Sequence, residues 1–348
     1  MIHAEGLTRH FGSGKATVEA VRGVDLEVTA GELVAFLGPN GAGKTTTLRM
    51  LTTLLGPTAG TAMVAGHDIH REQAAVRQRI GYVGQGNGAG HNQRVGDELV
   101  SQGRSYGMSR ADSRARAAEV MEQLDLGALR DRKVMTLSGG QKRRLDVAIG
   151  IMHRPELLFL DEPTTGLDPH SRANLWEHIL QLRADVGTTI FLTTHYLDEA
   201  DAMAERVLVM DHGRVIAEGT SEQLKADLGG DRVTVSVARE ADADRVVAIA
   251  AQVAAVHAAS RPSQRQVELR VTRGDLALAP LVLALAEASV QVVGVDLQRP
   301  TLDDVFLSLT GRSLREGGRE VPVADAASGA PSATLSPATD LVSEGAAV

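Results

Sequence analysis

The sequence predicts an α/β fold built on a largely parallel sheet, and three observations carry that prediction. Short β-type runs alternate with helical patterns to about residue 225, the arrangement that parallel sheets with crossover helices produce. The apolar run Leu33-Val34-Ala35-Phe36-Leu37 leads directly into Gly38-Pro39-Asn40-Gly41-Ala42-Gly43-Lys44-Thr45, a complete G-x-x-x-x-G-K-[ST]. A second apolar run, Leu157-Leu158-Phe159-Leu160, delivers Asp161 and Glu162 at its C-terminal end.

The glycine-rich segment is a phosphate-binding loop. Glycines 38, 41 and 43 permit a curl whose N–H groups point inward, and Lys44, Thr45, Thr46 and the residues after them read as a helix whose positive end faces that curl. Residues 38–46 are thus the expected nucleotide-phosphate site, with Lys44 on the β- and γ-phosphates and the Thr45 hydroxyl on Mg²⁺.

Polar groups follow other strand-like runs in the same way. Tyr82-Val83-Gly84 leads to Gln85, and Thr189-Ile190-Phe191-Leu192-Thr193-Thr194 leads to His195. Ligands of open parallel sheets bind beyond the carboxyl ends of the strands, where the phosphate loop also sits. Adjacent carboxylates at the end of a buried strand are costly unless used. Asp161 is expected on Mg²⁺, and Glu162 is expected to polarise the attacking water. Gln85 is assigned to Mg²⁺ or to the lytic water, and His195 to the γ-phosphate.

From about residue 88 to 150 the β signal disappears. Helical segments such as Arg110 to Leu126 and Gln141 to Met152 suggest a helical insert in the α/β core. Just before the second of these comes Leu137-Ser138-Gly139-Gly140-Gln141. Ser138 and Gln141 have capping-box spacing, but a cap needs no glycines, which weaken a helix by about 1 kcal/mol each. They leave a bare positive helix terminus, a second anion cradle at Ser138, Gly139, Gly140 and Gln141.

After Leu228-Gly229-Gly230 the pattern changes. Strand-like Val233 to Val237, helical Ala241 to Val256, strand-like Val267 to Val271, helical Asp275 to Ala288 and strand-like Val290 to Leu297 read as a small C-terminal α/β domain, residues 229–316. Thr301 and Asp304 have capping-box spacing ahead of a last short helix. Residues 317–348 are Ala, Ser, Pro and Gly with scattered acids, the composition of a disordered tail.

Composition narrows the functional classes. The 348 residues contain no cysteine, which excludes disulfides, zinc-cysteine sites and thiol nucleophiles. A formal net charge of −8 with 3% aromatics gives neither the basic footprint nor the stacking surface of a nucleic-acid binder. No signal peptide is read at Met1 to Gly6. The longest apolar run, Leu276 to Ala286, is interrupted by Pro280 and falls short of the ~20 residues of a membrane span.

The phosphate loop, Gln85, Leu137 to Gln141, Leu157 to Pro163, Gly166-Leu167-Asp168 and His195 occur in the order and spacing of the ATP-binding cassette of ABC transporters. The resemblance covers about residues 2 to 225, within a first domain of 1–228. It implies a P-loop NTPase cassette with a helical subdomain that uses ATP and Mg²⁺. Two cassettes would pair head to tail, so that each ATP lies between one phosphate loop and the other subunit's Ser138 segment. Phe11 would stack on adenine, with a core position as its alternative, and Asp168 would belong to the loop linking the two sites across the interface. Val293 to Leu297, Arg299 to Leu307 and Leu309-Thr310-Gly311 resemble the C-terminal ending of the daunorubicin-resistance type of drug-exporter ATPase.

The resemblance thus implies the ATP-hydrolysing subunit of an exporter, peripheral on the cytoplasmic face of the cell membrane, partnered by a separately encoded integral membrane permease and not by nucleic acid. A soluble cassette ATPase acting on ribosomes or DNA would usually carry two cassettes, a long coiled-coil insert or zinc cysteines. Intact Lys44, Asp161, Glu162 and His195 argue against a non-catalytic ATP-sensing regulator. The stretch Gly86-Asn87-Gly88-Ala89-Gly90-His91-Asn92 departs from the less glycine-rich segment usual at the place that faces the membrane partner.

Overall fold

The computed structural model describes residues 1–12, 17–226, 228, 230–253 and 255–311. The expected tail, 317–348, lies outside the described residues.

Strands β1 (Ile2–Phe11) and β2 (Val18–Val28) pair antiparallel, and β3 (Leu33–Leu37) follows with every side chain buried. After α1 (Lys44–Leu51), β4 (Ala59–Val64) and β5 (His67–Asp68) extend the first pair into a sheet of order β2-β1-β4-β5. Then come α2 (Gln73–Arg79) and β6 (Ile80–Val83), followed by three helices: α3 (Val95–Ser105), α4 (Arg110–Gln123) and α5 (Gly139–Ile151). These three are the expected helical insert. The chain returns through β7 (Leu157–Asp161), α6 (Pro169–Val186), β8 (Thr189–Thr194), α7 (Leu197–Met203), β9 (Arg206–Asp211), β10 (Arg214–Gly219) and α8 (Ser221–Ala226).

The second sheet runs β10-β9-β3-β8-β7-β6 and is parallel throughout except where β10 pairs with β9. Strands β3, β7 and β8 are buried at every residue, covered on both faces, which is why they read as largely apolar runs. Alternate residues serve different cores. Leu33, Ala35, Leu158, Leu160 and Ile190 belong to a core shared with the helical insert, α6 and α7, while Val34, Phe36, Phe159 and Phe191 belong to one shared with α1 and the antiparallel sheet. The ring of Phe191 sits 5.6 Å from Phe36 and 5.7 Å from Phe159, tilted against both, a favourable aromatic geometry. Because β3, β6, β7 and β8 are parallel, their C-terminal ends share one edge of the sheet.

Beyond the cassette come β11 (Asp231–Val237), α9 (Glu240–Ala250), β12 (Val256–Ser263), β13 (Gln266–Val271), α10 (Gly274–Glu287) and β14 (Val292–Gln298). They form an antiparallel sheet of order β12-β13-β11-β14, a split βαβ arrangement with its own core of Val233, Val235, Leu269, Leu281 and their neighbours. The helix expected to run to Val256 ends at Ala250, and β12 follows where the sequence predicts no strand. That strand is an edge whose side chains are mostly exposed, and it contains Pro262, so neither apolar alternation nor composition marks it.

The last helix, α11 (Leu302–Thr310), begins with the expected reciprocal cap between Thr301 and Asp304. Its apolar face does not join the C-terminal sheet. Leu302, Val305 and Phe306 are buried in the cassette core, with α11 lying against α7 and α8. No helix among the described residues is long and apolar enough to cross a membrane.

This placement makes α11 part of the cassette's stability. Phe306→Ala is expected to lower unfolding free energy by about 3–5 kcal/mol in urea denaturation. Val293→Ala, at a 71% exposed position, should change it by less than about 0.5 kcal/mol. Equal effects would place α11 outside the core.

Candidate active site

The shared strand edge carries the phosphate loop. Gly38, directly after β3, has the carbonyl of Met210 where a Cβ would stand, 2.2 Å away, so no side chain fits there. Gly43 has φ 108°, and a Cβ would lie 2.5 Å from the carbonyl of Ala20. Gly43 is also the N-cap of α1, with no side-chain cap and no acid in the first turn, leaving the helix's positive end free for an anion. The cavity at this end holds about 280 Å³ and is lined by Pro39, Asn40, Gly41, Thr46, Gln85 and Glu162, among others. Ala42 is buried beneath the loop.

Lys44 is 4% exposed and folds across the curl, donating from Nζ to the carbonyls of Gly38 (2.6 Å) and Pro39 (3.1 Å). Burial pulls its pKa below the usual lysine value, and the charges of Glu162 and Asp161 oppose that pull. With Glu162 Oε1 at 3.7 Å, a carboxylate faces the ammonium across the site.

Asp161 is fully buried. Its Oδ1 accepts hydrogen bonds from Thr45 Oγ1 (2.9 Å) and Thr193 Oγ1 (2.7 Å), and Gln85 Nε2 donates to Thr45 Oγ1 (3.2 Å). Its Oδ2 is buried with no partner among the described residues. A buried carboxylate oxygen left unpaired costs free energy, and a hard cation would recover it. One carboxylate, one hydroxyl and one amide, with room for water and phosphate oxygens, is a donor set that fits Mg²⁺.

Glu162 has φ 46° immediately before Pro163, a conformation that costs a non-glycine residue about 1–3 kcal/mol. Two hydrogen bonds from its N–H hold it there, to the carbonyl and to the hydroxyl of Thr193, both at 3.1 Å. Its Oε2 accepts from Thr165 Oγ1 at 3.2 Å and lies 3.2 Å from His195 Nδ1, which has no hydrogen-bond partner among the described residues. The His195 ring packs on Tyr196.

The Ser138 segment forms a separate pocket. Ser138 caps α5 reciprocally with Gln141, and Ser138 and Gly139 are exposed. A Cβ on Gly140 would collide with the Ser171 side chain at 2.8 Å. Ser171 in turn donates from its N–H (2.9 Å) and Oγ (2.6 Å) to Asp168, the exposed N-cap of α6. Asp168 is thereby tied to the second cradle. This pocket, about 190 Å³, shares no lining residue with the phosphate-loop cavity.

Phe11 is 40% exposed at the end of β1, with the Arg9 guanidinium 4.8 Å above its ring. It is therefore not a core residue, and it does not line the phosphate-loop cavity.

Sequence reading missed the residues that brace these groups. Arg143, buried in the second turn of α5, donates to the carbonyls of Pro163 (2.6 Å), Gly84 (2.6 Å) and Asp161 (3.2 Å). One guanidinium thus joins the Ser138 helix to the strand end and to the Gln85 loop. Asp146, three residues on, accepts from the N–H of Gly88 at 2.8 Å, and its burial raises its pKa. Glu199 accepts from Thr164 (2.5 Å) and Thr194 (3.2 Å), fixing the loop after Glu162. Lys142-Arg143-Arg144 reads as a solvated basic run, and its only signal was an opposite charge at Asp146, on the same face as the apolar residues of α5.

Comparison with known proteins agrees with this geometry. Residues 21–165 match the ABC transporter family, and residues 219–310 match the C-terminal domain of DrrA1-3-like ATP-binding proteins. The chain is 45% identical over 314 residues to the daunorubicin resistance ATP-binding protein DrrA3 of Streptomyces coeruleorubidus, covering 90% of this chain and 97% of that one. It is 34% identical over 319 residues to the linearmycin resistance ATP-binding protein LnrL of Bacillus subtilis, covering 91% and 100%. Among solved structures, a dimeric ATP-binding cassette in a post-hydrolysis state bound to ADP and Pi is similar with a TM-score of 0.59 at 25% identity, covering 63% of this chain and 98% of that one. The chain belongs to the ATP-hydrolysing cassettes of ABC transporters, in the subgroup of daunorubicin-resistance ATP-binding proteins.

Proposed function

We propose that this chain is the ATP-binding and ATP-hydrolysing subunit of an ABC exporter. It acts as a head-to-tail pair of cassettes on the cytoplasmic face of a cell membrane, with a separate integral membrane permease. One observation carries the pairing: the chain has two anion cradles that share no residue, one at the phosphate loop and one, exposed, at Ser138 and Gly139. A single cassette holds both halves of an ATP site but on different surfaces. A second copy supplies the missing half. The resistance functions in the names of the relatives support a hydrophobic, drug-like cargo.

Within that reading each side chain has a task. The N–H groups of the loop and the end of α1 bind the phosphates, and Lys44 neutralises charge on the β- and γ-oxygens. Thr45, Asp161 and Gln85 would hold Mg²⁺, which when bound neutralises the phosphate charge that grows in the transition state. Glu162 accepts the proton of the water that attacks the γ-phosphorus, yielding ADP and phosphate. His195, beside the Glu162 carboxylate, contacts the γ-phosphate. Phe11, exposed at the end of β1, stacks on adenine.

Two variants separate binding from chemistry. Lys44→Ala should abolish hydrolysis and weaken ATP binding, since the buried cation of the cradle is lost. Glu162→Gln keeps shape and binding but removes the base, so steady-state turnover should fall ~10²–10⁴-fold while ATP is retained and the protein runs as a dimer on gel filtration. Near-normal turnover in either variant would remove that residue from the site.

The exporter reading has its own test. Co-expression with the cognate permease should move the chain from the soluble to the membrane fraction and change its ATPase rate. Equal partition with and without the permease, together with co-sedimentation on ribosomes, would favour a soluble cassette ATPase instead.

A further inference from the structure

A cavity of about 500 Å³ lies away from the nucleotide site, between the C-terminal sheet and α11. Arg232, Arg270 and Arg299 line it, with Thr301, Asp304 and Ser308 on the helix side. Arg232 on β11 is the register partner of both Arg270 on β13 and Gln298 on β14, so one polar row crosses three strands. Two guanidiniums directly opposite each other on neighbouring strands repel, at a cost of roughly 0.2–1 kcal/mol.

Most of the surrounding acids act on that charge from beyond ion-pair distance, Asp304 on Arg232 and Arg270 and Asp275 on Arg299. Glu268 lies 3.4 Å from Arg232, whereas Arg270 and Arg299 form no ion pair among the described residues. The acid lining the cavity is Asp304, and its Oδ2 is already occupied by hydrogen bonds from the Thr301 N–H (2.8 Å) and Oγ1 (2.7 Å). Partial burial pushes the Asp304 pKa up, but the bonds from Thr301 and the positive field of Arg232 and Arg270 together hold it below its usual value. Three guanidiniums therefore face a cavity lined by one carboxylate, Asp304, one of whose oxygens is engaged as a helix cap.

We propose that this cavity binds a phosphate-bearing anion. Guanidinium forks match phosphate oxygens in pairs, and a dianion offsets the repulsion that the apo row carries. The sheet contributes Arg232 and Arg270, while α11 is anchored in the cassette core through Leu302, Val305 and Phe306. An occupant bridges the two and holds the C-terminal sheet against the cassette. The phosphate belongs either to a soluble compound or to the headgroup of an anionic lipid. None of this depends on the exporter reading, since no group of the nucleotide site takes part.

The test uses the full chain titrated with inorganic phosphate by calorimetry, in the wild type, in Lys44→Ala and in Arg232→Gln/Arg270→Gln. Saturable binding is expected in the wild type and in Lys44→Ala, weakened at least about tenfold in the double variant. The ligand-free melting temperature of the double variant should stay close to the wild-type value, because removing the repulsive arginine pair offsets the loss of the partly exposed Arg232–Glu268 pair. Arg299→Gln, at an exposed position, gives a second variant if the double one folds poorly; it too should weaken binding. Flotation with phosphatidylglycerol vesicles but not phosphatidylcholine vesicles, lost in the double variant, assigns the phosphate to a headgroup. Phosphate binding without flotation assigns it to a soluble compound. Phosphate binding that disappears in Lys44→Ala and persists in both arginine variants, or that is absent from the wild type, would overturn the proposal.

Discussion

One buried carboxylate organises the nucleotide site. Asp161 sits at the end of β7 with no exposure, its Oδ1 shared by hydroxyls from α1 and β8 and its Oδ2 unpaired. The shared oxygen locks the phosphate loop to two neighbouring strands. A cation bound there would satisfy the free oxygen. Burying a carboxylate this deeply is unfavourable unless it is compensated; Lys44 and Arg143 supply opposite charge, while one of its oxygens has no hydrogen-bond partner among the described residues. Much of the surrounding geometry serves that arrangement: Arg143 holds the Asp161 backbone carbonyl, and Thr193, which binds the carboxylate, also fixes the strained backbone of Glu162.

The same bracing connects the two cradles. Arg143 and Asp146 lie on the helix that Ser138 begins, and they grip the Gly84 carbonyl and the Gly88 N–H on either side of Gln85. The glycine-rich stretch at residues 86–90 is held through its backbone, by bonds that do not themselves require glycine. Gly88 presents its N–H to a buried acid, and Gly90 presents its own to Glu98 at 3.1 Å. A rotation of the Ser138 helix must therefore disturb the Gln85 loop or break hydrogen bonds to buried charged groups, which cost about 1.5–3 kcal/mol each. That gives the helical insert a physical route to the site without any moving part beyond a helix and a loop.

Legibility in the sequence followed the range of the interaction. Gly38 to Thr45, Asp161-Glu162 and Ser138 to Gln141 are local spacings whose chemistry is complete within a few residues, and the parallel sheet follows from uninterrupted apolar strands. Thr193, Arg143 and Glu199 act across 18 or more positions in sequence, and each looks like an ordinary strand threonine, a surface arginine or a helix-start acid. The edge strand β12 lacked a pattern because an edge needs only one partner. For α11 the cap was readable but the destination was not, since an amphipathic helix states that it will be buried and not against what.

The central claim is that each ATP site is assembled from the phosphate loop of one copy and the Ser138 cradle of another. Mixing experiments address it directly. Ser138→Arg blocks one cradle and Lys44→Ala disables the other, so each variant alone should be inactive. An equimolar mixture should regain part of the wild-type ATPase rate, because a mixed pair contains one composite site with both halves intact. Ser138→Arg alone should still bind ATP. No recovery in the mixture, or loss of ATP binding by Ser138→Arg alone, would show that the segment serves its own phosphate loop and would contradict the account.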